Sequence, residues 1–273
     1  MIETTGLADP APIIHTLMAH PPIARKYRLD GIVATVDLAT GMNTLDQHQE
    51  AVKQAAVADA LLLTKADLAT DEQRAALLRR LDGINPAAPY WEVSNGEIEA
   101  QKVLNLGLFN AEGKSPDVAL WLREEAYAES ESHGHANEHH DHDDDGHDHS
   151  GHESRSHVHQ HHHDHHDVNR HDDHIRAFCF TVEQPIPEEI LAAWHELLMD
   201  LVGSRILRMK GILNIEGNPQ PLVVHGVQHI YHPPVTLPAW PSEDRRSRLV
   251  FITHGVGKDA IGELHSIAKG LYA

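Results

Sequence analysis

Three stretches of this sequence combine residue types that could do chemistry. The first is Leu62-Leu63-Thr64-Lys65-Ala66-Asp67-Leu68, where an ammonium and a carboxylate follow an apolar run. A carboxylate there can accept two hydrogen bonds from the N1 and N2 groups of guanine, and the lysine stem can lie along the base. Adenine lacks that donor pair, so such a site selects GTP over ATP. The same residues also fit a surface turn with two solvated charges. The second stretch is Glu3-Thr4-Thr5-Gly6. An acid in that spacing can hold Mg²⁺, directly or through water, and a glycine lets a backbone N–H face a γ-phosphate closely. Four residues alone also fit a plain turn.

The third stretch is the segment 129–174, which holds 17 of the 26 histidines and almost nothing apolar. Neutral imidazole is a good ligand for Zn²⁺, Cu²⁺, Ni²⁺ and Co²⁺. His139, His140, His142, His147, His149, His161, His162, His163, His165 and His166 offer many overlapping sets of three or four ligands. Asp141, Asp143, Asp144, Asp145 and Asp164 add oxygen ligands and negative charge. Short loops keep the closure entropy of each site small, so several sites of moderate affinity are expected. Imidazole must be deprotonated to bind, so metal should leave as pH falls below about 6.5. A solvated spacer without a metal role is the alternative. His225 and His229 share one face of an expected strand and, with His232 or His254, could form a second site; ordinary, partly buried histidines are the more common outcome. Cys179 alternates with Phe178 and Phe180 and reads as core.

Bulk composition narrows the class. The formal charge of −19 over 273 residues argues against nucleic acid as a partner, which needs clustered Lys and Arg. One cysteine excludes an internal disulfide and any Cys-rich zinc site in this chain. No apolar run reaches the ~20 residues of a membrane span, so no membrane role is expected and a cytoplasmic location is.

The elements that must position these residues follow from patterning. Gly31–Asp37, Ala60–Leu63 and Pro89–Val93 read as buried strands, and Asp46–Ala58, Asp71–Leu81 and Ile98–Leu104 as helices, with Asp46 and Asp71 as caps. Strand–helix alternation with continuous apolar strands predicts a parallel sheet covered on both faces. Lys65 and Asp67 then stand at the carboxyl edge of that sheet, where ligands of α/β sheets bind. Residues 129–174 cannot bury a core and read as a disordered linker. Beyond it, strands at Arg176–Val182, Ile206–Ile215, Pro221–Tyr231 and Arg248–Thr253 accompany helices at Pro187–Val202, with Pro187 in its first turn, and Asp259–Lys269, capped by Asp259. The order β-α-β-β-β-α predicts an antiparallel sheet with helices on one face.

Together the first two stretches resemble the CobW family of P-loop GTPases, a group that includes zinc-regulated GTPase metalloprotein activators and metallochaperones. The likeness runs through Glu3-Thr4-Thr5-Gly6-Leu7-Ala8-Asp9-Pro10, Thr35-Val36-Asp37, Ala58-Asp59 and Thr64-Lys65-Ala66-Asp67. It resumes at Arg205-Ile206-Leu207-Arg208-Met209-Lys210-Gly211 and closes with Trp240-Pro241 and Arg246-Ser247-Arg248-Leu249-Val250-Phe251-Ile252. The resemblance implies GTP binding and slow GTP hydrolysis coupled to delivery of a metal such as zinc or cobalt to a metal-requiring client protein, with Zn²⁺ or Co²⁺/Ni²⁺ as the bound metal. It implies Glu3 as the Mg²⁺-associated acid, Gly6 as the γ-phosphate sensor, and Lys65 and Asp67 as guanine readers. Thr64 stands where many relatives have Asn, and Ser94 and Asn95 fall where the last guanine-contacting loop belongs. The expected domains are a C-terminal portion of a GTPase domain at 1–125, a metal-binding linker at 126–174 and a CobW C-terminal domain at 175–273. The family's G-x-x-x-x-G-K-[ST] loop and Cys-x-Cys-Cys motif do not occur in these 273 residues. The expectation is therefore an N-terminally truncated member that binds GTP weakly by itself, because backbone N–H groups and a lysine around the phosphates supply most nucleotide affinity. A metal buffer with a vestigial nucleotide half, and a supplier of cobalt for cobalamin synthesis, are the alternatives.

Overall fold

The computed structural model describes residues 1–27, 29–104, 106, 122, 126–127, 174–228 and 230–272. The metal-binding tract expected at 129–174 therefore lies outside the described residues except for His174, as does His229. The chain begins with helices α1 (Ala11–Ala19) and α2 (Pro21–Ala24). Strands β1 (Val33–Asp37), β2 (Ala60–Thr64) and β3 (Tyr90–Val93) form a three-stranded parallel sheet in the order β1-β2-β3. Leu61 and Leu63 lie fully buried on one face of β2. Covering of both faces is not complete, since Val33 and Thr35 of β1 are exposed.

The single helix expected over Asp46–Ala58 is two. Helices α3 (Gly41–Gln47) and α4 (Gln49–Val57) are separated at His48, which is extended at φ −131° and ψ 107°. Asp46 caps nothing: its carboxylate pairs with Arg80 of helix α5 (Asp71–Ile84). The N-cap of α5 is Thr70 rather than Asp71. The Thr70 side chain accepts from the Gln73 N–H, and the Gln73 side chain accepts from the Thr70 N–H, satisfying two donors that a helix start leaves free. The third expected helix shrinks to a 3₁₀ turn, Ala100–Val103, whose flanking Leu104 is exposed and buries nothing.

The second half is a six-stranded antiparallel sheet. It comprises β4 (Ile175–Val182), β5 (Ile206–Leu213), β6 (Leu222–Val227), β7 (Ile230–Tyr231), β8 (Val235–Thr236) and β9 (Ser247–His254). The order is β4-β9-β5-β6-β7, with β8 on β6. Helices α6 (Glu188–Val202) and α7 (Lys258–Gly270) cover one face, as expected, with Trp194, Leu198 and Ile261 packed on Phe178, Met209 and Phe251. Pro187 precedes α6 at its N-cap with an extended ψ of 142°, and Gly257, not Asp259, occupies the N-cap of α7. The expected strand Pro221–Tyr231 folds back on itself at Gln228, whose φ is 53°, so β6 and β7 form a hairpin.

The other face of this sheet is not left to water. Leu207, Ile212, Val223, Val227, Val250 and Ile252 share one core with Val52, Ala55, Ala56, Val57, Leu61, Leu77 and Leu81 of the first half. A register shift between β5 and β9 at Ile206–Arg208 lets Leu207 and Arg208 both reach toward the first half. The two halves thus bury a common apolar layer, the dominant favourable term in holding them together.

Candidate functional site

Strand β2 delivers Thr64 to the carboxyl edge of the parallel sheet. Lys65 follows in the left-handed region at φ 56°, and Ala66–Leu68 makes one 3₁₀ turn. The edge is laced to β1. The Leu38 N–H donates to the Thr64 carbonyl at 2.9 Å, and Thr64 Oγ1 donates to the Val36 carbonyl at 3.4 Å. This threonine thus supplies a brace where the resemblance expects an amide. Lys65 Nζ lies 2.6 Å from Asp37 Oδ2, and Asp37 Oδ1 accepts from the Ala39 and Thr40 N–H groups at 2.8 and 3.2 Å. Burial pushes the Asp37 carboxyl up, but the bonds from Lys65, Thr40 and Ala39 outweigh it and bring it down to about 2. Asp67 is exposed and, among the described residues, pairs with no cation. Ser94 and Asn95 are exposed just past β3, in a tight turn closed by the Glu97 N–H on the Ser94 carbonyl at 3.0 Å. Asn95 and Gly96 both take positive φ there, which a two-residue turn of this hand requires.

Glu3 and Gly6 are also exposed and sit in a separate loop. The Ala8 N–H closes a turn on the Thr5 carbonyl at 3.1 Å. Gln54 Nε2 of α4 donates to the Gly6 and Ala8 carbonyls at 3.1 and 2.8 Å, and Lys53 Nζ pairs with Asp9 at 3.1 Å. The space above Gly6 is open, with nothing within 4 Å of where a Cβ would stand. No hydrogen bond or ion pair joins Glu3 or Gly6 to Lys65 or Asp67 among the described residues.

Sequence patterning missed the polar contacts between the halves. Asp59, just before β2, has its side chain 4% exposed. It pairs with Arg208, stands 3.5 Å from Lys210 Nζ, and accepts from the Ile32 N–H at 3.0 Å. Arg208 also donates to the Val57 carbonyl at the end of α4. Burial favours the neutral acid, but Arg208 and then Lys210 prevail and hold Asp59 below its ordinary range. Gln228, at the tip of the β6–β7 hairpin, donates to Asp9 Oδ1 at 3.3 Å. Asp59 and Arg208 fall inside the quoted family phrases, yet nothing in their spacing shows that they meet across 149 residues.

The second metal site expected on β6 is altered by the hairpin. His225 stands on β6. Its ring lies 3.6 Å from that of His232, with both Nε2 atoms buried and unpartnered. Burial, then His232, Arg208 and Lys210, push the His225 imidazole well down. His232 is lowered to about 4, where burial outweighs the pull of Asp59 and Arg208 adds to it. His254 instead lies beside His174, at 5.5 Å. Among the described residues no three His, Cys, Asp or Glu side chains converge on a metal position. Cys179 is half-buried against the shared core.

The chain thus belongs to the α/β class, with a parallel three-stranded sheet packed on an antiparallel α+β unit. Residues 1–92 match the CobW/HypB/UreG nucleotide-binding domain, and residues 175–266 match the C-terminal domain of the cobalamin synthesis protein cobW. The chain belongs to the CobW family. The zinc chaperone YjiA of Escherichia coli (strain K12) is 30% identical over 254 residues, 92% of this chain and 65% of that protein. The zinc-regulated GTPase metalloprotein activator 1 of Schizosaccharomyces pombe is 31% identical over 117 residues, 42% of this chain and 28% of that protein. The crystal structure of the Zn(II)-bound YjiA GTPase from E. coli superposes with a TM-score of 0.65 at 25% identity, over 96% of this chain and 68% of that one. This chain thus spans under two thirds of the length of the curated YjiA. No helix among the described residues is long and apolar enough to cross a membrane.

Proposed function

We propose that this chain is part of a GTP-dependent metallochaperone, in which guanine-nucleotide binding and hydrolysis are coupled to delivery of zinc to a client protein. The observation that carries this reading is the Lys65–Asp67 loop. It places an exposed carboxylate with no ion pair among the described residues, beside a fixed lysine, at the carboxyl edge of a parallel sheet. In this reading Asp67 accepts from guanine N1 and N2, the Lys65 stem lies along the base, and Thr64 and Ser94 border it. Glu3, an exposed carboxylate, associates with Mg²⁺, and Gly6 faces the γ-phosphate. The domain limits 1–125, 126–174 and 175–273 belong to the same proposal, as does a cytoplasmic location. The relatives named for zinc support zinc as the cargo. Cobalt and nickel fit the same imidazole chemistry, since donor type alone does not separate these metals.

The histidine tract serves this reading as a reservoir from which metal is handed on. Saturation-transfer NMR with guanosine and adenosine tests base recognition: guanosine alone should bind, and Asp67→Asn should abolish the preference. Equal response to both nucleosides would sink the assignment. A zinc titration by calorimetry at pH 7.5 and 5.5 tests the tract, with several sites expected at the higher pH and a marked loss at the lower. The second reading, a metal buffer, rests on the density of histidines between 129 and 174. It predicts zinc binding that guanine nucleotide does not alter.

A further inference from the structure

The Lys65 ammonium does not swing freely at the sheet edge. Its side chain is 57% exposed, yet Nζ is held 2.6 Å from Asp37 Oδ2. Asp37, 20% exposed, is itself immobilised, since its other oxygen accepts two backbone N–H groups of the turn that follows β1. The backbone of Lys65 takes φ 56° and ψ 39°, a region that residues with a Cβ seldom occupy. Both ends of the lysine are therefore fixed: the backbone by the left-handed turn, the head by a carboxylate on the neighbouring strand. A lone exposed ion pair contributes little to stability. Here the pair joins two loops that both open on the carboxyl edge, where a ligand would lie.

We infer that Asp37 is a positioning residue for guanine recognition, pinning Lys65 Nζ to the end of β1 so that the lysine stem already spans the loop beside Asp67 before a base arrives. This rests on the base-reading role proposed for Lys65 and Asp67. An unpinned lysine samples many rotamers and loses that freedom when its stem packs on a base. With the pin in place, most of that ordering is complete in the free protein, so more of the contact appears as affinity. Asp37 touches no base; its effect runs through Lys65.

The test is a double-mutant cycle on the full chain, read as guanosine affinity by saturation-transfer NMR with adenosine as control. Asp37→Asn keeps an oxygen for the Ala39 and Thr40 N–H groups and removes the charge that holds Lys65. It should weaken guanosine binding about three- to five-fold, the range an exposed ion pair can supply. Lys65→Met keeps the stem, loses the pin and should weaken binding to the same extent. The double variant should be no weaker than either single one. Because guanosine carries no phosphate, loss of the ammonium removes no direct charge contact with the ligand. The inference is overturned if Asp37→Asn or Lys65→Met binds guanosine as the parent does, or if the two losses multiply. A parent chain that does not prefer guanosine over adenosine overturns the base-reading role, and this inference with it.

Discussion

Replacing Asp59 by Asn tests whether the two halves are held by a buried charge cluster as well as by apolar burial. The side chains of Asp59 and Arg208 are 4% and 5% exposed, and Lys210 is 12% exposed. The variant leaves two cations at the interface without the carboxylate that faces them. Removing one partner of a buried pair costs about 3–5 kcal/mol, because the remaining charge cannot regain its water. Arg208 keeps the Val57 carbonyl and Lys210 keeps some exposure, so the lower end, about 3 kcal/mol, is expected. For a folded unit of this size that is a fall in Tm of roughly 6–12 °C. Urea denaturation with an unchanged m-value measures the loss directly. Arg208→Met should also destabilise, and the double variant should be less unstable than the sum by about 1–3 kcal/mol. Asp59→Asn within about 1 kcal/mol of the parent, or strict additivity, would refute the role given to this cluster.

The same carboxylate sets an acid limit. Its folded value lies below the unfolded one, near 3.9, so its contribution is fully present above that pH and is lost as pH falls through the folded value. The stability gap between the parent and Asp59→Asn should therefore narrow below about pH 4.

Three further outcomes are expected. Thr70→Ala removes the capping box of α5 and should cost about 1 kcal/mol in urea denaturation. Gly211→Ala places a Cβ 2.9 Å from Leu249 Cγ and 3.2 Å from the Arg248 carbonyl, one of them rigid backbone, and should cost about 1–3 kcal/mol by the same measurement. His232 is lowered to about 4, so the fold favours its neutral form. Stability from this group is complete above the unfolded value near 6.5 and is lost as pH falls toward 4; His232→Asn should flatten that slope in denaturation series from pH 7.5 to 4.5.

Much of the parallel sheet was legible because its signals are local. The β-branched run before Asp37 and the leucines before Thr64 each specify a strand from their own side chains, although only β2 is largely buried, and the position of Lys65–Asp67 follows from where β2 ends. Boundaries failed where a neighbour decides. The break at His48 interrupts a continuous helical pattern, and Asp46, a good cap by type, is drawn to Arg80 on another helix. The β6–β7 hairpin was hidden because its turn is made by Gln228 in a left-handed conformation that usually signals itself through Gly or Asn. Reading straight through that turn hid the approach of His225 to His232. Asp37 illustrates the remaining gap. It looks like the last residue of a strand, and only the register of β1 on β2 brings it to Lys65.

Helix α4 ties the Gly6–Asp9 loop to both halves of the chain. At its middle, Lys53 and Gln54 hold the Gly6–Asp9 loop. At its end, the last carbonyls that a helix leaves unpaired are taken up twice. Asn85 Nδ2 donates to the carbonyls of Ala55, Ala56 and Ala58 at 2.9, 3.1 and 2.9 Å, and Arg208 donates to that of Val57. The first set ties α4 to α5, and the second ties it to β5 in the other half. Displacing the loop while α4 stays fixed breaks the Gln54 bonds. Moving α4 with the loop breaks buried bonds to Asn85 and Arg208, which cost more to lose than exposed ones. The Gln228–Asp9 bond closes the circuit by joining the same loop directly to the β6–β7 hairpin. A chain built this way should unfold in one transition rather than half by half, and a change at Glu3–Asp9 has two short routes into the C-terminal sheet.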